Sequence, residues 1–150
     1  MRIAKLMVRI CGMTAAAALA VGCTAGCTAA LAQDKVVYHF SSGLEQASDG
    51  LRNIRNHLEV DPKAKIVVVA HARGVDFLMK GAKDPNGNRY RDIVENLKNE
   101  GDVSFRICEI TLRDRKLKRE QFIEEAGYVP SGVAEITRLQ VREHYAYLKP

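Results

Sequence analysis

One thiol, two imidazoles and a guanidinium stand where apolar runs of this sequence end, and that combination suits thiolate chemistry. Cys108 closes Val103–Ile107, His71 and Arg73 follow Ile66-Val67-Val68-Val69-Ala70, and His39 with Ser41 and Ser42 ends Val36-Val37-Tyr38. Neighbouring cations favour a thiolate over a thiol, as do the unpaired N–H groups at the start of a following helix. Glu109, the next residue, opposes this with its own charge, although a first helical turn favours that anion too. The competing reading makes Cys108 a small buried hydrophobe, with His71 bonded to a loop carbonyl and His39 turned into the core. His57 falls on the polar side of a helix and reads as a surface residue; His144 shares no ligand spacing with another histidine. No His, Cys and carboxylate residues have zinc-site spacing, so no metal is expected, and the chemistry calls for no organic cofactor. Arg73-Gly74-Val75 is a lone glycine turn rather than a phosphate cradle, and Ser41 and Ser42 lack a nucleophile elbow.

The elements that would position these groups alternate along the chain. Lys35–Ser41 is β-branched and aromatic and predicts a strand. Leu44, Ala47, Leu51, Ile54 and Leu58 then recur at spacings of 3, 4, 3 and 4, the stripe of an amphipathic helix that Asp61-Pro62 ends. Lys65–His71 holds an unbroken apolar run, the pattern of a strand buried on both faces. A helical turn around Val75–Lys80, a turn-rich loop at Asp84–Asn88 and a helix from Tyr90 to Gly101 precede a third buried strand, Val103–Cys108. Glu109–Arg115 and Lys118–Ala126 read as short helical segments, Tyr128-Val129-Pro130 as a brief strand, Gly132–Glu143 as a helix and Tyr145–Leu148 as an edge strand suited to subunit pairing. Strands alternating with helices predict an α/β fold, a three-layer α/β/α sandwich around a mainly parallel sheet of about five strands. In such sheets ligands sit beyond the strand carboxyl ends, where the thiol and imidazoles are.

The first stretch of the chain reads as an address. Arg2, Lys5 and Arg9 precede an Ala-rich apolar run that ends in Ala30-Leu31-Ala32, small residues two apart before Gln33-Asp34. That is the form of a secretory signal, residues 1–32, with 33–150 as a single domain. Gly12, Gly22 and Gly26 interrupt the run, against a membrane anchor, and Val21-Gly22-Cys23 has Ala20 where a lipobox carries Leu. The expected product is a periplasmic protein free of the membrane. Cleavage would remove Cys11, Cys23 and Cys27 and leave Cys108 without an intramolecular partner. It would also take three of the 23 basic side chains, leaving near balance against the 18 acidic ones. Such a balance is no footprint for nucleic acid. The basic run Arg113–Arg119 reads as a solvated connection or a docking face for an acidic partner.

These residues also resemble a known family, the DsrE/DsrF-like proteins, a group related to sulfur-relay subunits. The likeness rests on Val36-Val37-Tyr38-His39, Arg52–Leu58, Ile66–His71, Gly74–Leu78, Phe105-Arg106-Ile107-Cys108, Thr111-Leu112, Val129–Val133, Gln140 and the ending Tyr145–Pro150. It implies the same three-layer fold and assembly into homo-oligomers, trimers or hexamers. In the relay members a cysteine carries sulfur as a persulfide, and Cys108 matches its place; those members work in the cytoplasm with partner proteins, whereas this chain carries an export signal. Two functions are therefore expected. In the first, Cys108 accepts and relays sulfane sulfur between donor and acceptor proteins, with His71, Arg73 and His39 around it. In the alternative, a non-enzymatic oligomer binds a small ligand or docks a protein at the strand carboxyl ends.

Overall fold

Odd and even residues of the first three apolar runs part to opposite faces of one sheet, and that division decides the architecture. The computed structural model describes residues 33–150. The signal sequence expected at 1–32, with Cys11, Cys23 and Cys27, lies outside the described residues. Strands β1 (Lys35–Phe40), β2 (Lys65–Ala70), β3 (Asp102–Cys108), β4 (Ala126–Val129) and β5 (Ala146–Leu148) form a five-stranded sheet in the order β4-β3-β2-β1-β5, every neighbouring pair parallel.

On one face Val36, Tyr38 and Phe40, Ile66, Val68 and Ala70, and Val103, Phe105 and Ile107 share a core with Leu51, Ile54 and Leu58 of α1 (Leu44–Val60) and Val94 and Leu97 of α2 (Tyr90–Glu100). On the other, Val37, Val67 and Val69 pack against Ile136 and Leu139 of α4 (Gly132–Glu143) and against Tyr145. The sequence calls for a β2 buried on both sides, and it is: Ile66 through Ala70 are at most 1% exposed. Each such aliphatic side chain contributes about 1.5–3 kcal/mol on leaving water. β3 differs from the expectation of full burial. Its second face carries Ser104, Arg106 and Cys108, and Arg106 is kept there by an ion pair with Glu135 of α4.

The connections explain the order. From β1 to β4 the chain steps one way across the sheet, then α4 carries it back over the opposite face to the far edge at β5. A right-handed crossover puts helices of opposite stepping direction on opposite faces. Gln46 ties the first turn together, accepting the Ser41 and Ser42 N–H groups at 2.7 and 2.8 Å and donating to the Pro150 carbonyl at 2.9 Å. The C-terminal tail is thereby pinned beside the carboxyl end of β1.

Three local expectations are revised. The turn expected at Val75–Lys80 is a 3-10 segment from Ala72 to Leu78, starting directly after β2. Lys118–Ala126 is not helical beyond one 3-10 turn at Arg119–Gln121; Phe122 and Ile123 are drawn into the core instead, and Ala126 already opens β4. Tyr145 precedes the edge strand and is buried. Among the described residues no helix is long and apolar enough to cross a membrane.

Gly74 holds the 3-10 segment against β1. A β-carbon there would meet the Phe40 carbonyl and the Ser41 nitrogen, backbone that has no room to give. Gly74→Ala is therefore expected to lower stability by about 2–3 kcal/mol, read as an earlier urea midpoint at an unchanged slope. A variant as stable as the parent would show that this junction is looser than its geometry.

Candidate functional site

Two connections leave the sheet in opposite directions next to Cys108. After β3 the chain enters α3 (Glu109–Asp114), whose Leu112 joins the core of the α1/α2 face; after β4 it enters α4 on the other face. Such a switch point opens a crevice at the carboxyl ends of the two strands. A cavity of about 500 Å³ lies there, lined by His71, Ala72 and Arg73 after β2, by Cys108, Ile110, Thr111, Asp114 and Arg115 at and after β3, and by Ser131 and Val133 after β4. A larger groove of about 650 Å³ between α1, α2 and the Asp84–Asn88 loop is lined by neither thiol nor imidazole.

The register brings the strand-end residues together. Ala70 pairs with Ile107, so His71 and Cys108 follow side by side. Gly132 packs over both: a β-carbon on it would lie 3.2 Å from the Cys108 Cβ and 3.2 Å from the His71 Cβ. The missing side chain lets the first backbone N–H of α4 reach the sulfur, one of the groups at a helix start that has no partner within the helix. Thr111 approaches from α3. Its Oγ1 accepts the Ala72 N–H at 2.9 Å, and Thr111 also lines the cavity beside Cys108.

Burial alone pushes the Cys108 thiol up, since only 5% of the residue is exposed. Hydrogen bonds from the Gly132 N–H, from the Thr111 N–H and hydroxyl, and from the Ile110 N–H outweigh it and leave the thiol below its ordinary range. Ala72, between His71 and Arg73, has φ 49°, a left-handed conformation that side chains rarely adopt. It is secured at both ends, its N–H by Thr111 and its carbonyl by Arg115 Nη1 at 2.9 Å. Arg115 also binds Asp76 at 2.6 Å, whereas Arg73 is exposed and has no ion-pair partner among the described residues.

His39 reaches the same end of the sheet from β1. Its Nε2 lies 2.5 Å from His71 Nε2, the two rings meeting edge to edge with centroids 4.7 Å apart and planes 27° apart, and its Nδ1 lies 2.7 Å from the Tyr147 hydroxyl of β5. Burial, then His71 and Lys149, lower His39 to about 4, and burial and Lys149 lower His71 as well. Both imidazoles are neutral at neutral pH, so the stabilisation sought from imidazole cations comes from N–H groups instead. His57 is half-buried rather than free on the surface, its Nδ1 3.2 Å from the Tyr38 hydroxyl. No group of three or more His, Cys, Asp or Glu side chains among the described residues has a metal-holding arrangement.

Cys108, His71 and Arg73 thus line one cavity, and His39 reaches it through His71. Thr111 and Gly132 were not singled out for their chemistry in the sequence. The signal for Thr111 was its place three residues after the cysteine, the spacing at which side chains meet across a helix start. Gly132 had none until the strand order placed α4 over Cys108.

The comparisons agree with this architecture. A family model described as the DsrE/DsrF-like family matches residues 27–150. Among solved structures, protein MTH1491 of unknown function from Methanobacterium thermoautotrophicum is 29% identical, with TM-score 0.68, over 79% of this chain and 100% of its own. The ychN protein from E. coli is 16% identical, with TM-score 0.62 and the same coverages, and shares the fold. No curated protein matches the chain.

The imidazoles set a pH dependence. Unfolded, His39 takes up a proton near 6.5; folded, it resists until about 4. Between those values acid favours the unfolded chain, so stability falls as pH drops from about 6.5 to about 4 and levels off below. His71 acts in the same direction. Urea midpoints across that range should decline less steeply in His39→Gln than in the parent; equal slopes would contradict the burial argument.

Proposed function

The chain belongs to the DsrE/DsrF-like family, and on that footing we propose that it is an exported sulfur-handling protein that carries sulfane sulfur on Cys108. The Cys108 thiolate attacks the outer sulfur of a donor R–S–SH; the new S–S bond makes Cys108–S–SH as the donor's S–S bond breaks and R–S⁻ leaves. An acceptor thiolate then attacks the terminal sulfur, takes it as R′–S–SH and releases the Cys108 thiolate. Atoms, charge and electrons balance in both steps, and neither needs a metal or an organic cofactor.

The observation that carries this reading is the place of Cys108 in the switch-point cavity, under the helix start at Gly132 and beside Thr111 and Ile110, which together hold its thiol below the ordinary range. Donors aimed at a sulfur favour its anionic states, which are the attacking and leaving forms in the exchange. The unpaired Arg73 guanidinium adds positive charge at the mouth. Periplasmic location, assembly as a trimer or hexamer, and donor and acceptor proteins complete the proposal.

One observation favours a second reading. With Cys108 only 5% exposed, the protein could be an oligomeric binding module whose cavity holds a small ligand and whose cysteine is structural. Anaerobic loading with polysulfide followed by intact-mass measurement separates the two. The sulfur-carrier reading predicts added mass in whole sulfur atoms that is absent from Cys108→Ser. It also predicts several-fold slower loading of Arg73→Gln, with less salt dependence than the parent. No addition at Cys108 leaves the binding module.

A further inference from the structure

A hydrogen-bonded chain leads away from the cavity. Tyr147, His39 and His71 come from β5, β1 and the end of β2, neighbouring strands of the sheet. The Tyr147 hydroxyl meets His39 Nδ1 at 2.7 Å and His39 Nε2 meets His71 Nε2 at 2.5 Å. Two imidazole nitrogens this close must hold a proton between them, because facing lone pairs would repel. With both rings neutral, one nitrogen donates and the other accepts, in either of two orders. A tyrosine hydroxyl both donates and accepts, so it satisfies either order at the outer end. At the inner end His71 lines the cavity with Cys108, and its Nδ1 is the ring nitrogen not engaged by His39.

We propose that Tyr147, His39 and His71 form a proton wire between the Cys108 cavity and the exposed edge of the sheet. The inference rests on the sulfur-carrier reading and names the path of its protons. When the perthiol Cys108–S–SH, whose outer sulfur extends into the cavity, ionises, its proton passes across that cavity to His71 Nδ1. The His71 Nε2 proton moves to His39 Nε2, the His39 Nδ1 proton moves to the Tyr147 oxygen, and the hydroxyl proton leaves to water. One proton enters, one leaves, and the two rings have exchanged tautomers without either becoming a cation. The burial of the sulfur makes this useful, since Cys108 is 5% exposed whereas Tyr147 is 40% exposed. The charged and titratable groups around the rings and their cavity are Cys108 from β3, Arg73 from the 3-10 segment, Asp114 and Arg115 at the end of α3, and Lys149 and Tyr147 from the C-terminal strand and tail.

The test compares the parent protein with Tyr147→Phe and His39→Gln. Imidazole ¹⁵N spectra report the tautomers of His39 and His71, and sulfur transfer from loaded Cys108 to a small thiol reports the rate. Tyr147→Phe should shift the tautomer populations of His71, two links away. Both variants should transfer sulfur about tenfold more slowly or worse, with the Cys108 titration unmoved and the rate restored by added imidazole. His71 resonances indifferent to Tyr147→Phe, or transfer within about twofold of the parent in both variants, would overturn the wire. Tyr147 is exposed on a short edge strand, so its variant keeps the test open should His39→Gln unfold. A parent that takes up no sulfur defeats the carrier reading instead, and the His71 tautomer response still decides the wire.

Discussion

The polar surroundings of one buried sulfur are the constraint on which the rest of this site depends. Gly132, Thr111 and Ile110 lower the Cys108 thiol from the starts of two helices that leave the sheet on opposite faces. That convergence needs β3 and β4 side by side, parallel, with their connections diverging. It favours a glycine at the start of α4, where a β-carbon would press to 3.2 Å from the β-carbons of His71 and Cys108. It comes with Ala72 in a left-handed conformation, its N–H donated to the Thr111 oxygen. Backbone strain kept at a site by well-satisfied neighbours is characteristic of functional regions.

The same arrangement changes how charge works at the site. A sulfur stabilised by cationic imidazoles would lose that help as pH rises through their titration. Here His39 and His71 are neutral, and N–H groups rather than imidazole cations lower the Cys108 thiol. The imidazoles are free to pass protons, and Arg73 remains the unpaired positive charge at the mouth. An anion-stabilising pocket and a proton path are separate devices, and this fold supplies them from different strands.

Much of the fold was legible in the sequence because its signals are local. The 3- and 4-residue spacing from Leu44 to Leu58 could only be a one-sided helix, and the unbroken Ile66–Ala70 run could only be buried twice over. Lys118–Ala126 misled for the same reason: its charge pattern is helical, but Phe122 and Ile123 are pulled inward and stretch the segment out. Cys108, His71, Arg73 and His39 were legible as strand ends. Their partners were not, since Gly132 at the sulfur and Tyr147 at His39 depend on which strands are neighbours, and β4 and β5 join the sheet at its two edges only after long crossovers.

The most direct measurement is the pH dependence of alkylation at Cys108 in the native protein, followed on the peptide that contains it. If the converging donors hold the sulfur as described, the rate rises to its plateau with a midpoint below that of an ordinary cysteine thiol, and Thr111→Val moves the midpoint upward. A midpoint at or above the ordinary value, unmoved by loss of the Thr111 hydroxyl, or a thiol that reacts only once the protein is unfolded, would contradict the account.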